Sequence, residues 1–214
     1  MEGLIPRLIL TGLAASISPV AVMILITVLS RKNAKRNSLL WLLGFILTLL
    51  ALGFAGVYLL SAGGSGGTSN IDAYIDIALG ALCLIAILFE LLRGKKSGGP
   101  KVEGEMSVKR AFSLGCISML VNSSTFIIFI SGLHMISRTN LEVLEEIISL
   151  VILTVFTLTT VLIPIAIYFI FPSRSGRALA ALEEWLTKHK RLIGTATLLI
   201  FGAYLLIKGL TAVA

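Results

Sequence analysis

Two polar interruptions of long apolar stretches are the places where this chain could do chemistry. In the first, Pro19 follows Ser16 and Ser18, whose hydroxyls could satisfy backbone groups freed by a residue without an N–H. The second is a run of four consecutive polar residues: Asn122, Ser123, Ser124 and Thr125. On a regular helix this run would cover every face, so it predicts local unwinding or an aqueous cavity for a ligand. The alternative is that Asn122 merely hydrogen-bonds a neighbouring helix.

A third polar feature lies in the fifth apolar stretch. Thr154, Thr157 and Thr160 are spaced for one helix face, and Pro164 follows them. Hydroxyls on one face predict that this helix lines the same cavity, with a kink at the proline. The alternative is ordinary packing between helices, with the kink as a local consequence of Pro164.

Few ionisable side chains fall inside the apolar stretches. Glu90 and His134 each lie near the end of a stretch, where either could take part in proton coupling or could simply meet the interface. Asp72 and Asp76 suit the first turns of a helix, with a cation site as the alternative. Lys208 is expected to snorkel outward. No carboxylate lies near the middle of a stretch, which argues against a proton relay built on membrane acids.

The chain carries no signature of a catalytic, cofactor or metal site. Cys83 and Cys116 lie in apolar stretches without CxxC or metal-ligand spacing, and we interpret them as small buried hydrophobes. No Walker-type glycine loop, HExxH sequence or credible catalytic triad is present. We therefore predict a protein that is not an enzyme and needs neither a cofactor nor a metal.

Long apolar segments dominate the composition. The chain is 57% hydrophobic, 14% charged and has a mean hydropathy of +0.99 over 214 residues. A bilayer-spanning helix needs roughly 20 mainly apolar residues. Six segments meet that requirement: 4–30, 39–60, 71–93, 111–136, 146–171 and 191–213. The fold class predicted is all-α integral membrane, with six transmembrane helices.

Positive charges are concentrated in alternate connections between these segments. All but three of the 18 Lys and Arg residues lie in residues 31–36, 93–110 and 174–191. The positive-inside rule places these three loops in the cytoplasm, so both termini lie outside the cell membrane of a multi-pass protein. The net charge of +7 then reflects topology and attraction to anionic membrane lipids, and no folded domain is available to bind nucleic acid.

The chain divides into two halves of three segments. A glycine stands seven residues before Pro19 in the first half and seven before Asn122 in the second. Because three is odd, the halves must insert in opposite orientations, as two inverted three-helix repeats. We assign residues 1–93 to the first repeat, 94–110 to a cytoplasmic linker and 111–214 to the second repeat. An amphipathic cytoplasmic helix is predicted near 175–190.

The sequence resembles the GAP family, also called Sap for sulfolipid-1-addressing protein, in the LysE transporter superfamily. The resemblance is carried by Ser18-Pro19-Val20, residues 31–37 and Leu43-Gly44, by residues 110–122, and by Glu184-Trp185-Leu186, His189-Lys190-Arg191, Gly202 and Lys208-Gly209-Leu210. It implies a six-span inverted-repeat fold and a role in moving lipids, notably glycolipids, toward the cell surface. Relatives tend to have Asn-Pro-Lys where this chain has Asn122-Ser123-Ser124. Thiol-electron carriers of the superfamily have a cysteine where this chain has Val20.

These observations together predict an exporter of a lipid or amphipathic metabolite that works by alternating access. Its substrate-binding residues are expected to be Ser16, Ser18, Pro19, Asn122, Ser123, Ser124, Thr157, Thr160 and Pro164. One alternative is an exporter of a small polar solute such as an amino acid or cation, and another is a non-transporting scaffold for envelope assembly. Partners expected are membrane lipids and a small amphipathic or polar substrate. Short loops and glycine-rich helix faces are also compatible with a homodimer.

Overall fold

The computed structural model describes residues 3–62, 69–92, 105–139 and 141–213. Within those ranges the chain is all helical and has no strand. The eight helices are α1 (Leu4–Ser16), α2 (Pro19–Leu29), α3 (Ala34–Ala62), α4 (Ser69–Leu92), α5 (Val108–Val121), α6 (Ser123–Ser137), α7 (Val143–Ile170) and α8 (Pro172–Val213). The predicted linker 94–110 is described only from residue 105, and its last three residues already belong to α5. Glu90 lies in α4, but its side chain is outside the described part of the structure.

Between four and six elements are long and apolar enough to cross a membrane. Helices α3, α4, α7 and α8 each contain a candidate span. The remaining candidates are two bent pairs, α1 with α2 at 60° and α5 with α6 at 73°. Large apolar side chains such as Leu10, Tyr58 and Ile200 are more than two-thirds exposed along these helices, where lipid would cover them. The protein is a membrane protein.

The first bend is set by Pro19. Proline cannot donate to the preceding turn but suits the first position of a new helix, and α2 begins at this residue. Ser18 leaves the helical conformation, and its Oγ accepts the Ala21 N–H at 3.2 Å as an N-cap. The interruption is therefore a complete break over Ile17 and Ser18, more than the kinked continuous helix that a proline alone would require.

The second bend has no proline. Asn122 alone leaves the helix, with φ −84° and ψ 86°, while residues 123–125 form the first turn of α6. The unwinding predicted for residues 122–125 is thus confined to one residue. Asparagine is suited to this position because it readily takes non-helical angles at a helix start, whereas Ser and Thr are tolerated in the first turn.

Close crossings hold the helices together where glycine removes a side chain. Helices α3 and α5 cross at Gly115, where an added Cβ would overlap the Trp41 carbonyl oxygen and lie 3.0 Å from the Phe45 nitrogen. The Trp41 and Phe45 rings stack at 5.2 Å, and Trp41 Nε1 donates to Ser118 Oγ at 3.2 Å. This crossing is therefore fixed both by backbone proximity and by a buried hydrogen bond.

The α1–α7 crossing has the same construction. A Cβ on Gly12 would lie 3.0 Å from the Leu153 carbonyl oxygen and 3.4 Å from the Thr157 nitrogen. Helices α4 and α8 form the most extensive contact, and there Gly80 and Gly202 face each other: a Cβ on either would approach the carbonyl oxygen of the other. Each extensive contact thus joins a helix of the first half to one of the second.

Residues 172–213 form one continuous helix of 42 residues. At 1.5 Å per residue it is about 63 Å long, roughly twice the thickness of a hydrocarbon core. The amphipathic helix predicted near 175–190 is its first part, because no proline or loop separates that segment from the last span. Leu179 and Leu186 are buried in the main core, and Trp185 is half exposed. The apolar face of this segment therefore packs largely on protein.

Candidate functional site

The side chain of Asn122 joins the two breaks. Its Nδ2 donates to Ser18 Oγ of the first break and, at 2.7 Å, to Thr125 Oγ1. Its Oδ1 accepts from Ser124 Oγ at 2.9 Å. All four side chains belong to residues that are at most 5% exposed. The amide therefore uses both of its donor hydrogens, one of them across the junction between the two halves of the chain.

A second connection crosses the junction at the end of α1. In a continuous helix the Ala15 carbonyl would accept the N–H of residue 19, which proline does not have. Thr125 Oγ1 donates to that carbonyl oxygen at 2.7 Å instead. A hydroxyl from the second half thus satisfies the acceptor that Pro19 leaves open in the first.

Helix α7 contributes a third connection. Thr160 Oγ1 donates to Ser16 Oγ at 3.0 Å, and Ser16 Oγ donates to the Leu13 carbonyl at 2.7 Å. The Leu13 carbonyl would accept from Ile17 in a longer helix, but the Ile17 N–H turns to the Ala14 carbonyl. We refer to Ser16, Ser18, Asn122, Ser124, Thr125 and Thr160 as the central polar network.

Four of the predicted site residues lie outside this network. Thr157 is buried, but its Oγ1 donates to the Leu153 carbonyl of its own helix at 2.7 Å. The side chain of Ser123 is exposed beside Asn122. Pro164 is buried within α7, where it denies the Thr160 carbonyl an intrahelical N–H. Pro19 also makes no side-chain hydrogen bond, and it acts on the network by freeing a carbonyl.

Thr125 is the network member that the sequence interpretation left out of its site. It stands three residues after Asn122, and residues with that spacing share a helix face. Had the run been interpreted as a single-residue break followed by a helix, the same face would have included Thr125. The chemistry of the network is hydrogen bonding alone, because its side chains are hydroxyls and one amide. It could orient a polar group but not activate a nucleophile by charge.

A cluster of charges lies near the ends of α4, α6 and α8 that are remote from the basic loops. Lys208 Nζ lies 2.5 Å from Asp76 Oδ2, and Arg138 lies 3.9 Å from the same oxygen. His134 Nε2 lies 3.7 Å from Asp72 Oδ1. We call these five residues the charge cluster. Lys208, which was expected to snorkel outward, is paired with Asp76 and keeps its side chain 26% exposed. His134, for which proton coupling and an interfacial position were the two alternatives, is fully buried.

The cysteines serve separate helix contacts. Cys83 packs beside Gly202 of α8, and Cys116 Sγ lies 3.5 Å from the Gly44 carbonyl of α3. Both thiols are free. Among the residues that the structure describes, no group of three His, Cys, Asp or Glu side chains is arranged to hold a metal ion.

Two cavities lie away from the central polar network. One of about 400 Å³ is at the basic end, lined by Thr27, Ser30, Arg31, Lys32 and Glu183. The other, of about 320 Å³, lies between α3 and α7 and is lined by Phe54, Val57, Tyr58, Glu146, Ile147 and Leu150. The first is bordered by charged and hydroxyl groups and the second mainly by apolar ones.

Among comparisons with known proteins, the one with protein families gives a match. No curated protein and no solved structure matches the chain. The family described as Sap, sulfolipid-1-addressing protein, matches residues 8–211, which is nearly the whole chain. That extent includes both breaks, the central polar network and the charge cluster. The chain belongs to the Sap, sulfolipid-1-addressing protein, family.

Proposed function

We propose that this protein exports a lipid or amphipathic metabolite across the cell membrane by alternating access of two halves. The observation that carries the proposal is the hydrogen bond from Asn122 to Ser18, which joins the break of one half to that of the other. Two interrupted helices that meet at a polar contact are the usual construction of a transporter binding site. The proposed cycle contains no covalent step.

An inverted repeat accounts for how the helices pack. The crossings at Gly12 and Gly115 are alike: each glycine approaches a carbonyl oxygen and the nitrogen four residues later in a helix of the other half. Exchanging the two halves turns the α1–α7 contact into α5–α3 and returns the α4–α8 contact to itself. With three spans in each half, this symmetry corresponds to opposite orientations, and the distribution of basic loops supports the proposal that both termini lie outside.

The central polar network suits the head group of an amphiphile. In the closed arrangement its side chains bond to one another, so a ligand can reach Asn122 only when the two breaks separate. The separated network would offer an amide and several hydroxyls, together with the amino-terminal ends of α2 and α6. Helix amino-terminal ends carry partial positive charge and favour a polar or anionic group.

The two cavities suit the two parts of such a cargo. The cavity at the basic end has Arg31 and Lys32 in its wall, as a polar head group would need on arrival from the cytoplasmic leaflet. The cavity between α3 and α7 is bordered by Phe54, Val57 and Leu150, against which an apolar chain could lie. We infer that cargo passes the network between these regions.

The proposal is tested by replacing Asn122 with leucine and measuring lipid transfer. Asn122→Leu retains the volume but removes the contact to Ser18, so we expect transfer of fluorescent phosphatidylglycerol between leaflets of proteoliposomes to fall by about tenfold or more, equivalent to about 1.4 kcal/mol. Native mass spectra of the wild type should show a stoichiometric amphipathic adduct that the variant loses.

Neighbouring serines supply a matched pair for the same assay. Ser124 donates to the Asn122 amide, whereas Ser123 is exposed and outside the network. Ser124→Ala should slow transfer and Ser123→Ala should leave it near the wild-type rate. Unchanged transfer in a folded Asn122→Leu protein would exclude this site. Saturable movement of an amino acid without lipid transfer would exclude an amphipathic cargo.

A further inference from the structure

The pair formed by Asp72 and His134 is poorly satisfied, although the Asp72 side chain is 22% exposed. His134 is 0% exposed, and neither ring nitrogen has a hydrogen-bond partner. Asp72 Oδ1 is also buried without a partner, and it lies 3.7 Å from His134 Nε2. An unsatisfied buried polar group costs about 1–3 kcal/mol, so packing alone does not explain an imidazole at this position. Ionisable groups inside a membrane protein generally serve a function.

With a neutral imidazole, the charge cluster holds two carboxylates and two cations, but both cations lie beside the same carboxylate. Asp76 has two cations nearby, Lys208 at 2.5 Å and Arg138 at 3.9 Å. Among the described residues, the ion-pair partner of Asp72 is the imidazole, which is uncharged until it takes a proton. A proton added to His134 would make both ring nitrogens donors and give the contact with Asp72 charge assistance.

Other elements near the histidine add no further ion pair. Asp72 and Asp76 of α4, Arg138 directly after α6 and Lys208 of α8 are the charged groups that act on His134. Helices α1, α3 and α7 also pack on α6, and within the described ranges they contribute no charged side chain to the cluster. The nearest side-chain contact from α1 is the neutral Thr11, whose hydroxyl lies 3.8 Å from Met135 Sδ.

Helix α6 connects this pair to the central polar network. It runs from Ser123 to Ser137, about 22 Å at 1.5 Å per residue, with Asn122 at one end and His134 in its last turn. Asp72 belongs to α4, which packs against both α6 and α8. A change in the attraction between α4 and the end of α6 would therefore tilt or shift a helix whose other end closes the network.

We propose that Asp72 and His134 form a proton-binding site, and that its occupancy controls opening of the central polar network. With the proton bound, the imidazolium and carboxylate hold the end of α6 against α4. Without it, this attraction is lost and α6 is free to move relative to α4. This inference rests on the proposed function in treating the network as the cargo site, and it names a proton as the coupled ion.

Proton binding can be observed directly, because the chain has only two histidines. In His189→Gln protein labelled with ¹⁵N-histidine and held in lipid nanodiscs, the remaining imidazole is His134. We expect its ring nitrogen shifts to change from the neutral to the charged form as the pH is lowered from about 8 to about 4. Adding Asp72→Asn should lower the ratio of charged to neutral imidazole at a fixed pH by about tenfold or more.

Opening is measured by alkylation of a cysteine within the network. Ser124→Cys is introduced after Cys83→Ala and Cys116→Ala, and its reaction with N-ethylmaleimide is timed at two pH values. The alkylation rate of any thiol rises with pH, so the rate at the higher pH is divided by the rate at the lower pH. We expect this ratio for Ser124→Cys to differ severalfold from the same ratio for a free thiol in solution. His134→Gln should abolish this difference while His189→Gln retains it, and Asp72→Asn serves as a second test if His134→Gln does not fold.

Each result decides the proposal. Imidazole shifts that do not change across the range would overturn it, as would pH-dependent alkylation that survives in both His134→Gln and Asp72→Asn. Titration together with loss of the alkylation difference would support it. Neither measurement uses cargo. A failed lipid-transfer assay would therefore contradict the proposed function alone, and a failed titration would contradict the proton site alone.

Discussion

Thr125→Val tests whether the second half of the chain completes the helix end of the first. Valine has nearly the same shape as threonine, so the change removes a hydroxyl that donates to the Ala15 carbonyl at 2.7 Å and accepts from Asn122 Nδ2 at 2.7 Å. Pro19 offers that carbonyl no N–H, and Ala15 is 0% exposed. Leaving a buried acceptor unpaired costs about 1–3 kcal/mol, while hydrogen bonds within membranes average about 0.6 and reach about 1.7. We expect Thr125→Val to lower the free energy of unfolding by about 1–2 kcal/mol.

The free energy of unfolding can be measured in mixed micelles by titration with sodium dodecyl sulfate. Thr157→Val is the matched control, because Thr157 is 2% exposed and its hydroxyl also donates at 2.7 Å to a carbonyl. That carbonyl, of Leu153, lies inside α7 and keeps its backbone N–H partner, so we expect a loss below about 0.5 kcal/mol. Equal losses in the two variants would refute the reasoning that Thr125 replaces the donor missing at Pro19.

Two further predictions concern packing and charge. Gly115→Ala places a methyl group against the Trp41 carbonyl oxygen and should lower the free energy of unfolding by about 1–3 kcal/mol. The control is Gly176→Ala, which adds a methyl group in open space on helix α8 and should be neutral or stabilising. Equal effects of the two substitutions would contradict the close crossing at Gly115. Asp76→Asn removes the carboxylate facing Lys208 and should lower the free energy of unfolding by roughly 1–3 kcal/mol, toward the lower end because the lysine is about a quarter exposed. Adding Lys208→Met to Asp76→Asn should recover most of this loss in the same unfolding titration. If the double variant recovers nothing, the two residues are not directly coupled.

Much of the helical framework was predictable, because apolar length and helix breakers are local properties. The segments around Ala34–Ala62 and Val143–Ile170 were predicted as spans, and both contain candidate spans in the structure. The break at Pro19 was also expected, since proline removes a donor whatever surrounds it. The six-span inverted repeat and its orientation stay predictions.

The partners of polar side chains were harder to predict, because they depend on which helices meet. Lys208 at the end of an apolar segment gives no sign that Asp76, far away in sequence, will pair with it. His134 has no sequence feature that distinguishes a buried position from an interfacial one. The continuity of α8 through residue 190 was likewise hidden, since an amphipathic pattern describes a helix that packs on protein as well as one that lies on a bilayer.

Polar side chains at the two ends of helix α6 differ in whether their hydrogen-bonding atoms have partners. The Asn122 amide has partners for both donor hydrogens and for its oxygen, and in the proposed export cycle this pairing keeps the junction of the two halves closed until a ligand supplies equivalent hydrogen bonds. The pair at His134 is unpaired and would gain most from a proton. In the proposed mechanism, the closed network at one end of α6 and the incomplete pair at the other are the two sites that movement of this helix would couple.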